Sequence, residues 1–524
     1  MLLKLAKGAF EGNNLRNYGI RAAIKTKAVR QEAQQLLIEC KRSEFNLYGN
    51  SPGDAHLKFG SLSLASSGWL HKKSKDDWFH IKATTDEKSG YHEMQDVEEF
   101  FRYSEVVVHK SLIDNLQTEL EIKQLTEIQR QAWHELYNNN HVLIAAETGC
   151  GKTLAYLLPI LQKIVERKQC EAGERKLNSP LALIISPGRE LTEQIGSVAH
   201  RLCKTLNINV KTLLGGNTKQ LLVNPEFGEV DVLVASVGAL SKLITTGIYR
   251  TKHVRHVVLD EADTLLDDSF SNKLAYLLKK FPFHRNHTKD DLVVGTQLVF
   301  VSATMPTNIH EQLQQVIDIE TIHKVVSANL HKLMAHVEQR FLRVNKSDRV
   351  GHLLAIVKKE LVHRRPVIIF SNKTPTCDYV DIFLNNSGVK SLNLNGDMLR
   401  KIRAGRFEQF QNGVCDVLST TDVGSRGLDT TRARHVINYD FPLHVSDYIH
   451  RCGRIGRVGC WEKCLVTNLV SSRREIDVVQ RIEHAARTGG LLSDVNANIK
   501  NIINKKIVED MKQAGVALQA DEAF

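Results

Sequence analysis

The most informative stretch of the chain runs from His141 to Thr153 and reads His-Val-Leu-Ile-Ala-Ala-Glu-Thr-Gly-Cys-Gly-Lys-Thr. Its apolar part, Val142 to Ala146, is typical of a buried strand, and the apolar segment after Thr153 is typical of a helix. A glycine-bearing loop between strand and helix lets backbone N–H groups face an anion. The stretch therefore predicts a phosphate-binding loop, with Lys152 on the phosphates and the Thr153 hydroxyl on Mg²⁺. An ordinary strand-to-helix turn is the alternative, because Ala146 stands where the motif usually has its first glycine.

A second stretch, from Val257 to Asp263, reads Val-Val-Leu-Asp-Glu-Ala-Asp. In a nucleotide-binding sheet, an apolar strand that ends in an aspartate holds the metal. Asp260 is expected to hold Mg²⁺ through water, and Glu261 to polarise the attacking water. A solvated acidic loop is the bland alternative, but the position directly after Val-Val-Leu and downstream of Gly-Lys-Thr favours the nucleotide site.

Asp-Glu-Ala-Asp also spells the name of a family, and residues 100 to 485 resemble the DEAD-box RNA helicases, with motifs in the family's order. The resemblance implies an α/β fold of two tandem RecA-like domains, each a mostly parallel sheet flanked by helices. It implies ATP and Mg²⁺ as cofactors and RNA as the partner. We expect the two domains at 100–327 and 339–485, a linker at 328–338, an N-terminal extension at 31–99 and a helical tail at 486–524.

The resemblance also implies an ATP site shared by both domains. Gln129, in Leu-Thr-Glu-Ile-Gln, would recognise adenine, and Tyr103 is the nearest candidate for the family's upstream aromatic residue. Arg454 and Arg457 would reach the γ-phosphate; with Arg451 they form a row of guanidinium groups suited to phosphate oxygens. The predicted nucleotide-binding residues are Gln129, Ala146, Glu147, Thr148, Gly149, Cys150, Gly151, Lys152, Thr153 and, at the ribose, Asp429.

Other family motifs imply an RNA-binding surface and a coupling network. The RNA contacts are expected at Pro187, Gly188, Arg189, Gly215, Gly216, Ser236, Gly238, Arg403 and Thr421. The residues expected to couple nucleotide state to RNA strand separation are Asp263, Ser302, Thr304 and His450. Several positions depart from the family; among them, Ala239 replaces an arginine, and Arg400 replaces a glutamine. Ala239 therefore predicts a weaker hold on RNA by the first domain.

The composition agrees with a polyanionic partner but does not require one. The net charge is +11 and the pI is near 9.1. No apolar run approaches the ~18 residues of a membrane span, so we expect a soluble protein without membrane insertion, acting as a monomer. The nine cysteines show neither zinc nor disulfide spacing, which is typical of a reducing compartment.

Residues 1–30 carry seven basic side chains, one acidic side chain and no serine. Basic, amphipathic and acid-poor composition favours a mitochondrial transit peptide over an RNA-binding arm, although transit peptides are usually serine-rich. We therefore expect the protein to be located in the mitochondrial matrix, with nucleus or cytoplasm as the alternative. That location suggests ribosomal RNA as the target, because it is the large structured RNA available there. In the extension, tryptophans interleaved with Lys72, Lys73 and Lys75 would allow RNA stacking, but the apolar content of the segment favours packing on the core.

Three activities remain open from the residues. The first is an RNA-dependent ATPase that unwinds short duplexes or remodels RNA–protein complexes. The second is an ATP-gated RNA clamp used as an assembly scaffold, and the third is a DNA translocase. The intact catalytic set favours the first over the second. The pairing of Asp-Glu-Ala-Asp with Ser-Ala-Thr favours RNA over DNA.

Overall fold

The computed structural model describes residues 36–48, 62–83, 94–104, 106–170, 175–215, 218–266, 271–283, 295–304, 316–422, 430–457, 462–493 and 495. The predictions for residues 1–30, for Gly216, for Asp429 and for most of the tail lie outside these residues. Within the described ranges, no helix is long and apolar enough to cross a membrane.

The strands, in chain order, are β1 (Leu36–Cys40), β2 (Leu47–Tyr48), β3 (Trp78–Ala83), β4 (Gln95–Asp96), β5 (Gln124–Leu125), β6 (His141–Ala145), β7 (Ala182–Ser186), β8 (Val210–Leu213), β9 (Val232–Ser236), β10 (His256–Asp260), β11 (Gln297–Ser302), β12 (Ile322–Val326), β13 (Glu338–Arg343), β14 (Val367–Phe370), β15 (Leu392–Leu394), β16 (Val417–Thr420), β17 (His435–Asn438) and β18 (Leu465–Val470).

The α-helices of the described residues are α1 (Val97–Arg102), α2 (Lys110–Thr118), α3 (Glu127–Tyr137), α4 (Lys152–Cys170), α5 (Arg189–Leu202), α6 (Thr218–Val223), α7 (Val237–Thr245), α8 (Ala262–Leu265), α9 (Ser271–Leu278), α10 (Arg349–Val362), α11 (Thr374–Asn386), α12 (Arg400–Gln411), α13 (Val445–Cys452) and α14 (Arg473–Thr488).

The first domain is built on a seven-stranded parallel sheet in the order β12-β6-β11-β10-β7-β9-β8. Every residue of β6, β7, β9, β10 and β11 is buried. Alternate residues enter different cores: Val142 and Ile144 pack on one face of the sheet, and Leu143 packs on the other. Because helices cover both faces of the sheet, these parallel strands are continuous apolar runs in the sequence.

The second domain has a nine-stranded sheet in the order β15-β16-β14-β17-β18-β13-β3-β1-β2. The strands from β15 to β13 are parallel, whereas β3, β1 and β2 continue the sheet antiparallel. The strands β1, β2 and β3 precede the first domain in the chain, yet they belong to the sheet of the second. The chain therefore passes between the domains twice, once between β3 and β4 and once between β12 and β13.

Aromatic packing joins the N-terminal strands to the second core. Phe79 stacks on Phe341 of β13 with ring centroids 4.6 Å apart, and Trp69 packs against Phe79 at 5.5 Å. Trp69 and Phe79 are both 0% exposed. The apolar content of the extension indicated packing, and the structure shows that the partner is the second domain.

A buried carboxylate ties the same segment to the last helix. Glu483 of α14 is 0% exposed and accepts hydrogen bonds from the backbone N–H groups of Ala65 at 2.7 Å and Ser66 at 2.9 Å. The Ser66 hydroxyl donates to the same carboxylate at 2.5 Å, and Arg487 pairs with it at 2.7 Å. The carboxylate thus satisfies N–H groups at the start of the 3₁₀ helix Ala65–Leu70.

The segment between β12 and β13 was expected to be a polar linker, but it is partly buried. Leu330 and Leu333 are each 8% exposed, and Val337 is 1% exposed. The Leu492 N–H, just after α14, donates to the His331 carbonyl at 2.8 Å. The second domain therefore packs against the interdomain segment.

Candidate nucleotide and RNA site

The predicted phosphate-binding loop follows β6 and ends at the first residue of α4. Gly149 (φ +83°) and Gly151 (φ +85°) adopt the left-handed region that favours glycine. The Lys152 ammonium donates to the carbonyls of Ala146 at 2.8 Å and Glu147 at 2.7 Å. The loop thus curls around the lysine, and an anion in the loop would exchange these carbonyl contacts for a charge-assisted one.

Gln129 lies against this loop. Its Oε1 accepts a hydrogen bond from the Thr126 N–H at 2.8 Å, and its Nε2 donates to the Gly151 carbonyl at 3.1 Å. A Cβ added at Gly151 would overlap the Gln129 amide. The amide keeps a second N–H and a second lone pair that could recognise a base edge. Tyr103, by contrast, is 76% exposed at the end of α1.

Cys150 in the same loop is an inert residue of the core. It is 1% exposed, and its thiol donates to the Glu147 carbonyl at 3.0 Å. Burial raises the pKa of the Cys150 thiol to about 11. The start of α4 therefore does not activate this cysteine.

The acidic motif faces the loop from the end of β10. Asp260 is 5% exposed; one carboxylate oxygen accepts from the Tyr156 hydroxyl at 2.9 Å, and the other accepts from the Glu261 N–H at 2.9 Å. Burial raises the pKa of Asp260, against the lowering effect of Tyr156 and Lys152. Glu261 adopts φ +52°, an uncommon backbone conformation for a residue with a side chain.

The donor set fits Mg²⁺. Tyr156, on α4, donates a hydrogen bond to one predicted magnesium ligand, Asp260, and follows the other, Thr153, by about one helical turn. Mg²⁺ usually takes one or two carboxylates and fills its remaining positions with phosphate oxygens and water. Sequence reasoning missed Tyr156, although its position one helical turn after Thr153 was a usable signal.

The second domain covers the loop with the end of α13. A Cβ added at Gly453 would overlap the Thr148 hydroxyl, and one added at Gly149 would lie 2.9 Å from Cγ of Arg457. Arg454 is 6% exposed, and the negative charge of Glu261 partly offsets its desolvation. Burial lowers the pKa of Arg454 and of Arg457 to about 10, so both guanidinium groups remain charged at neutral pH.

Arg451 differs from the other two arginines of its row. Its guanidinium, 0% exposed, donates to both carboxylate oxygens of Asp422 at 2.7 and 3.0 Å, to Asn372 Oδ1 at 2.7 Å and to the Asp440 carbonyl at 2.8 Å. The expectation that all three arginines present their forks to phosphate is therefore wrong. Arg451 holds the second domain together, and two arginines remain for the nucleotide.

The four predicted coupling residues come together across the domain boundary. The Thr304 hydroxyl donates to Asp263 Oδ2 at 2.8 Å, and the Thr304 N–H donates to the Ser302 hydroxyl at 3.1 Å. From the second domain, His450 Nε2 lies 3.8 Å from the same Asp263 oxygen. The acidic motif, the Ser-Ala-Thr strand end and α13 thus form one buried contact network.

The RNA candidates of the first domain cluster at the carboxyl ends of its strands. A Cβ added at Gly215 would lie 3.3 Å from both Arg189 Nε and the Ser236 hydroxyl. Pro187 and Gly188 lie between β7 and α5, next to Arg189, and Gly238 is exposed in the first turn of α7.

The RNA candidates of the second domain approach the same surface. Arg403 of α12 forms an ion pair with Glu190, the neighbour of Arg189. Thr421, directly after β16, is 8% exposed. Arg189 and Arg403 therefore approach each other from the two domains.

The structure contradicts the expectation for Ala239. Its methyl group is 1% exposed in the first turn of α7, whereas the neighbouring Gly238 is exposed and has open space at its Cα. Position 239 faces the interior of the first domain, so the absence of an arginine there does not by itself remove a charge from the RNA surface.

Comparisons with known proteins agree with this geometry. A DEAD/DEAH box helicase model matches residues 126–312, and a helicase conserved C-terminal domain model matches residues 345–459. The chain is 34% identical to the mouse "Probable ATP-dependent RNA helicase DDX28" over 90% of this chain and 88% of that protein. It is also 34% identical to the human protein of the same name, over 89% of this chain and 86% of that one.

Among solved structures, the fold resembles "S. cerevisiae Dbp5 bound to RNA and ADP BeF3" with a TM-score of 0.60 at 22% identity, covering 79% of this chain and 99% of that one. This likeness confirms the expected α/β architecture of two RecA-like domains. The family models and the curated relatives carry the assignment further. The chain belongs to the DEAD-box ATP-dependent RNA helicases.

Proposed function

We propose that this RNA helicase binds ATP and Mg²⁺ in the cleft between the phosphate-binding loop and α13. The observation that carries the proposal is the direct contact of the second domain with that loop, at Gly453 against Thr148 and at Arg457 against Gly149. A site assembled from two domains is complete only when they close. Nucleotide binding would therefore stabilise the closed form.

Each residue has a distinct part in hydrolysis. Lys152 would bind the β- and γ-phosphates, and Thr153 and Asp260 would hold Mg²⁺, which supplies positive charge to the phosphate oxygens. Glu261 would orient and polarise the attacking water. Arg454 and Arg457 would stabilise the charge of the transition state from the second domain; arginines in this role raise rates by about 10³–10⁵ in phosphoryl transfer.

RNA would bind along the surface that holds Arg189, Gly215 and Ser236 and continue to Arg403 on the second domain. Closure brings both parts of this surface together, so RNA and ATP would each raise the other's affinity. Asp263, Thr304 and His450 would carry this coupling, since they link the acidic motif to α13. Local separation of a short RNA duplex on closure is the activity that these contacts support best.

The first experiment separates nucleotide binding from hydrolysis. Lys152→Ala should lose nucleotide affinity, because it removes the cation that faces the phosphates. Glu261→Gln should retain ATP binding and lose turnover, which traps a closed complex on RNA. Fluorescent nucleotide titration and RNA-stimulated ATPase assays measure the two steps. A Glu261→Gln protein with parental turnover would show that another group activates the water.

We further propose that the protein is imported into the mitochondrial matrix, works as a monomer and acts on structured RNA, with ribosomal RNA as the first candidate. The basic, acid-poor residues 1–30 support import. A reporter fused to residues 1–40 should enter mitochondria. A reporter that remains in the cytosol or nucleus would leave the RNA-arm interpretation of this segment. Crosslinking the protein to RNA in cells and sequencing the bound fragments would identify the target.

A further inference from the structure

Tyr156 stands out among the residues around the nucleotide site because the mechanism above does not use it. It follows Thr153 by three positions and Lys152 by four, so all three lie on one face of α4, about one turn apart. Its side chain is 0% exposed. A phenylalanine would fill the same apolar space, so packing alone does not explain a hydroxyl at this depth.

The hydrogen-bond directions around this hydroxyl are determined by its partners. A tyrosine has one O–H to donate, and the Asp260 carboxylate, 2.9 Å away, can only accept it. Burial raises the pKa of Tyr156 well above its usual range, so the hydroxyl keeps this proton.

This arrangement sets the orientation of one predicted magnesium ligand, Asp260. On Asp260, Tyr156 engages one carboxylate oxygen while the Glu261 N–H engages the other. These two bonds fix the rotation of the carboxylate in a buried place where it would otherwise have few partners.

We propose that Tyr156 is a positioning residue for magnesium: it orients the Asp260 carboxylate for the cation before the cation arrives. The proposal rests on the proposed function, in which Asp260 holds Mg²⁺ together with Thr153. It predicts a specific defect when the hydroxyl is removed. Nucleotide should still bind, but Mg²⁺ should strengthen that binding only at higher concentration.

The test uses the full-length chain with Tyr156→Phe. The measurement is the affinity for a fluorescent ADP analogue as Mg²⁺ is titrated, which requires no hydrolysis. Removing a partner that orients a metal ligand typically costs about 10- to 100-fold in metal affinity. We therefore expect the Mg²⁺ midpoint to rise by about 10- to 100-fold, with the affinity for magnesium-free nucleotide unchanged.

Tyr137→Phe is the matched control. The Tyr137 hydroxyl also donates to a carboxylate in the first domain, that of Glu166 at 3.1 Å, but it contacts none of the predicted magnesium ligands. This variant should keep the parental Mg²⁺ midpoint. An unchanged midpoint in Tyr156→Phe would overturn the proposal, and so would an equal shift in both variants.

A double-variant comparison keeps the test decisive if Tyr156→Phe also lowers stability. If Tyr156 acts through Asp260, adding Asp260→Asn to Tyr156→Phe should shift the Mg²⁺ midpoint no further than the larger single change. Fully additive shifts would show that the tyrosine acts independently, which overturns the proposal. The proposed function is refuted by a different result: Lys152→Ala would retain its nucleotide affinity.

Discussion

Replacing Glu483 with alanine should release the N-terminal strands from the second domain. The carboxylate accepts three hydrogen bonds from Ala65 and Ser66 and pairs with Arg487, all in a place with no solvent access. The substitution would leave two N–H groups and a guanidinium in the core without their acceptor. The effect should concentrate on β1 and β3, because the 3₁₀ helix that Glu483 holds lies between them.

The magnitude follows from the burial of the pair. Removing one partner of a buried ion pair costs about 3–5 kcal/mol, because the other charge stays behind uncompensated. At 1.36 kcal/mol per factor of ten, the opening equilibrium of this segment should increase by about two to nearly four orders of magnitude. Glu483→Gln should have a smaller effect, since the amide oxygen can still accept from one of the two N–H groups, which donate to different oxygens of the carboxylate.

Hydrogen exchange followed by mass spectrometry resolves this change by segment. The amides of β1 and β3 should exchange faster by the stated factor, whereas those of the first-domain sheet should keep their parental rates. Glu39→Gln is the control, because Glu39 and Lys82 form an ion pair at 2.8 Å between the same two strands but on the solvent side. Such exposed pairs contribute about 0–1 kcal/mol, so exchange should change little.

Two results would refute this reasoning. Parental protection of β1 and β3 in Glu483→Ala would mean that aromatic packing alone holds the extension. Equal loss of protection in Glu483→Ala and Glu39→Gln would mean that burial of the carboxylate is not the decisive property.

Three further predictions concern the first domain. Ala239→Arg should destabilise it by about 1–3 kcal/mol, because the side chain must enter a packed interior. Gly238→Arg is the control: it has open space at its Cα and should leave the melting temperature unchanged. Similar melting temperatures for both variants would contradict the burial argument. At pH 8 the Cys150 thiol should resist N-ethylmaleimide in the native protein while the exposed Cys170 reacts, as peptide mass spectrometry would show. Burial lowers the pKa of Lys163 to about 7, so the unfolded chain binds more protons than the folded chain between pH 7 and the ordinary pKa of lysine. The buried charge therefore destabilises the folded state most at and below pH 7. Thermal melts of Lys163→Met should show the largest gain in melting temperature there, and the gain should shrink towards pH 10.

Much of the molecule can be predicted from local sequence. Apolar runs such as Val142 to Ala146 predict parallel strands covered on both faces, and the structure confirms that class of fold. The functional residues follow directly after those strands, and in open α/β sheets ligands bind at the carboxyl ends of strands. The family resemblance of these motifs implies which side chains meet at the site, and the structure brings Asp263, Thr304 and His450 together in one contact network.

Side-chain direction and local competition explain the errors at single positions. Arg451 and Arg454 belong to one short motif, but the first lies among Asp422, Asn372 and the Asp440 carbonyl, which take up its donors. Ala239 matches a family position in sequence, yet α7 turns its methyl group inward. In the sequence, Tyr156 looks like one more apolar residue of a buried helix, because its partner Asp260 lies far away in the chain.

The sequence by itself determined the family, the parallel core of both sheets and the residues of the candidate nucleotide site, because each depends on residue types at fixed local spacing. Only the tertiary structure decided that β1, β2 and β3 extend the second sheet beyond β13 and not the first sheet that follows them in the chain. The physical reason is that strand addition depends on an unpaired sheet edge and a complementary apolar surface. Phe341 and Glu483 provide that surface, and they lie hundreds of positions away from Phe79 and Ala65.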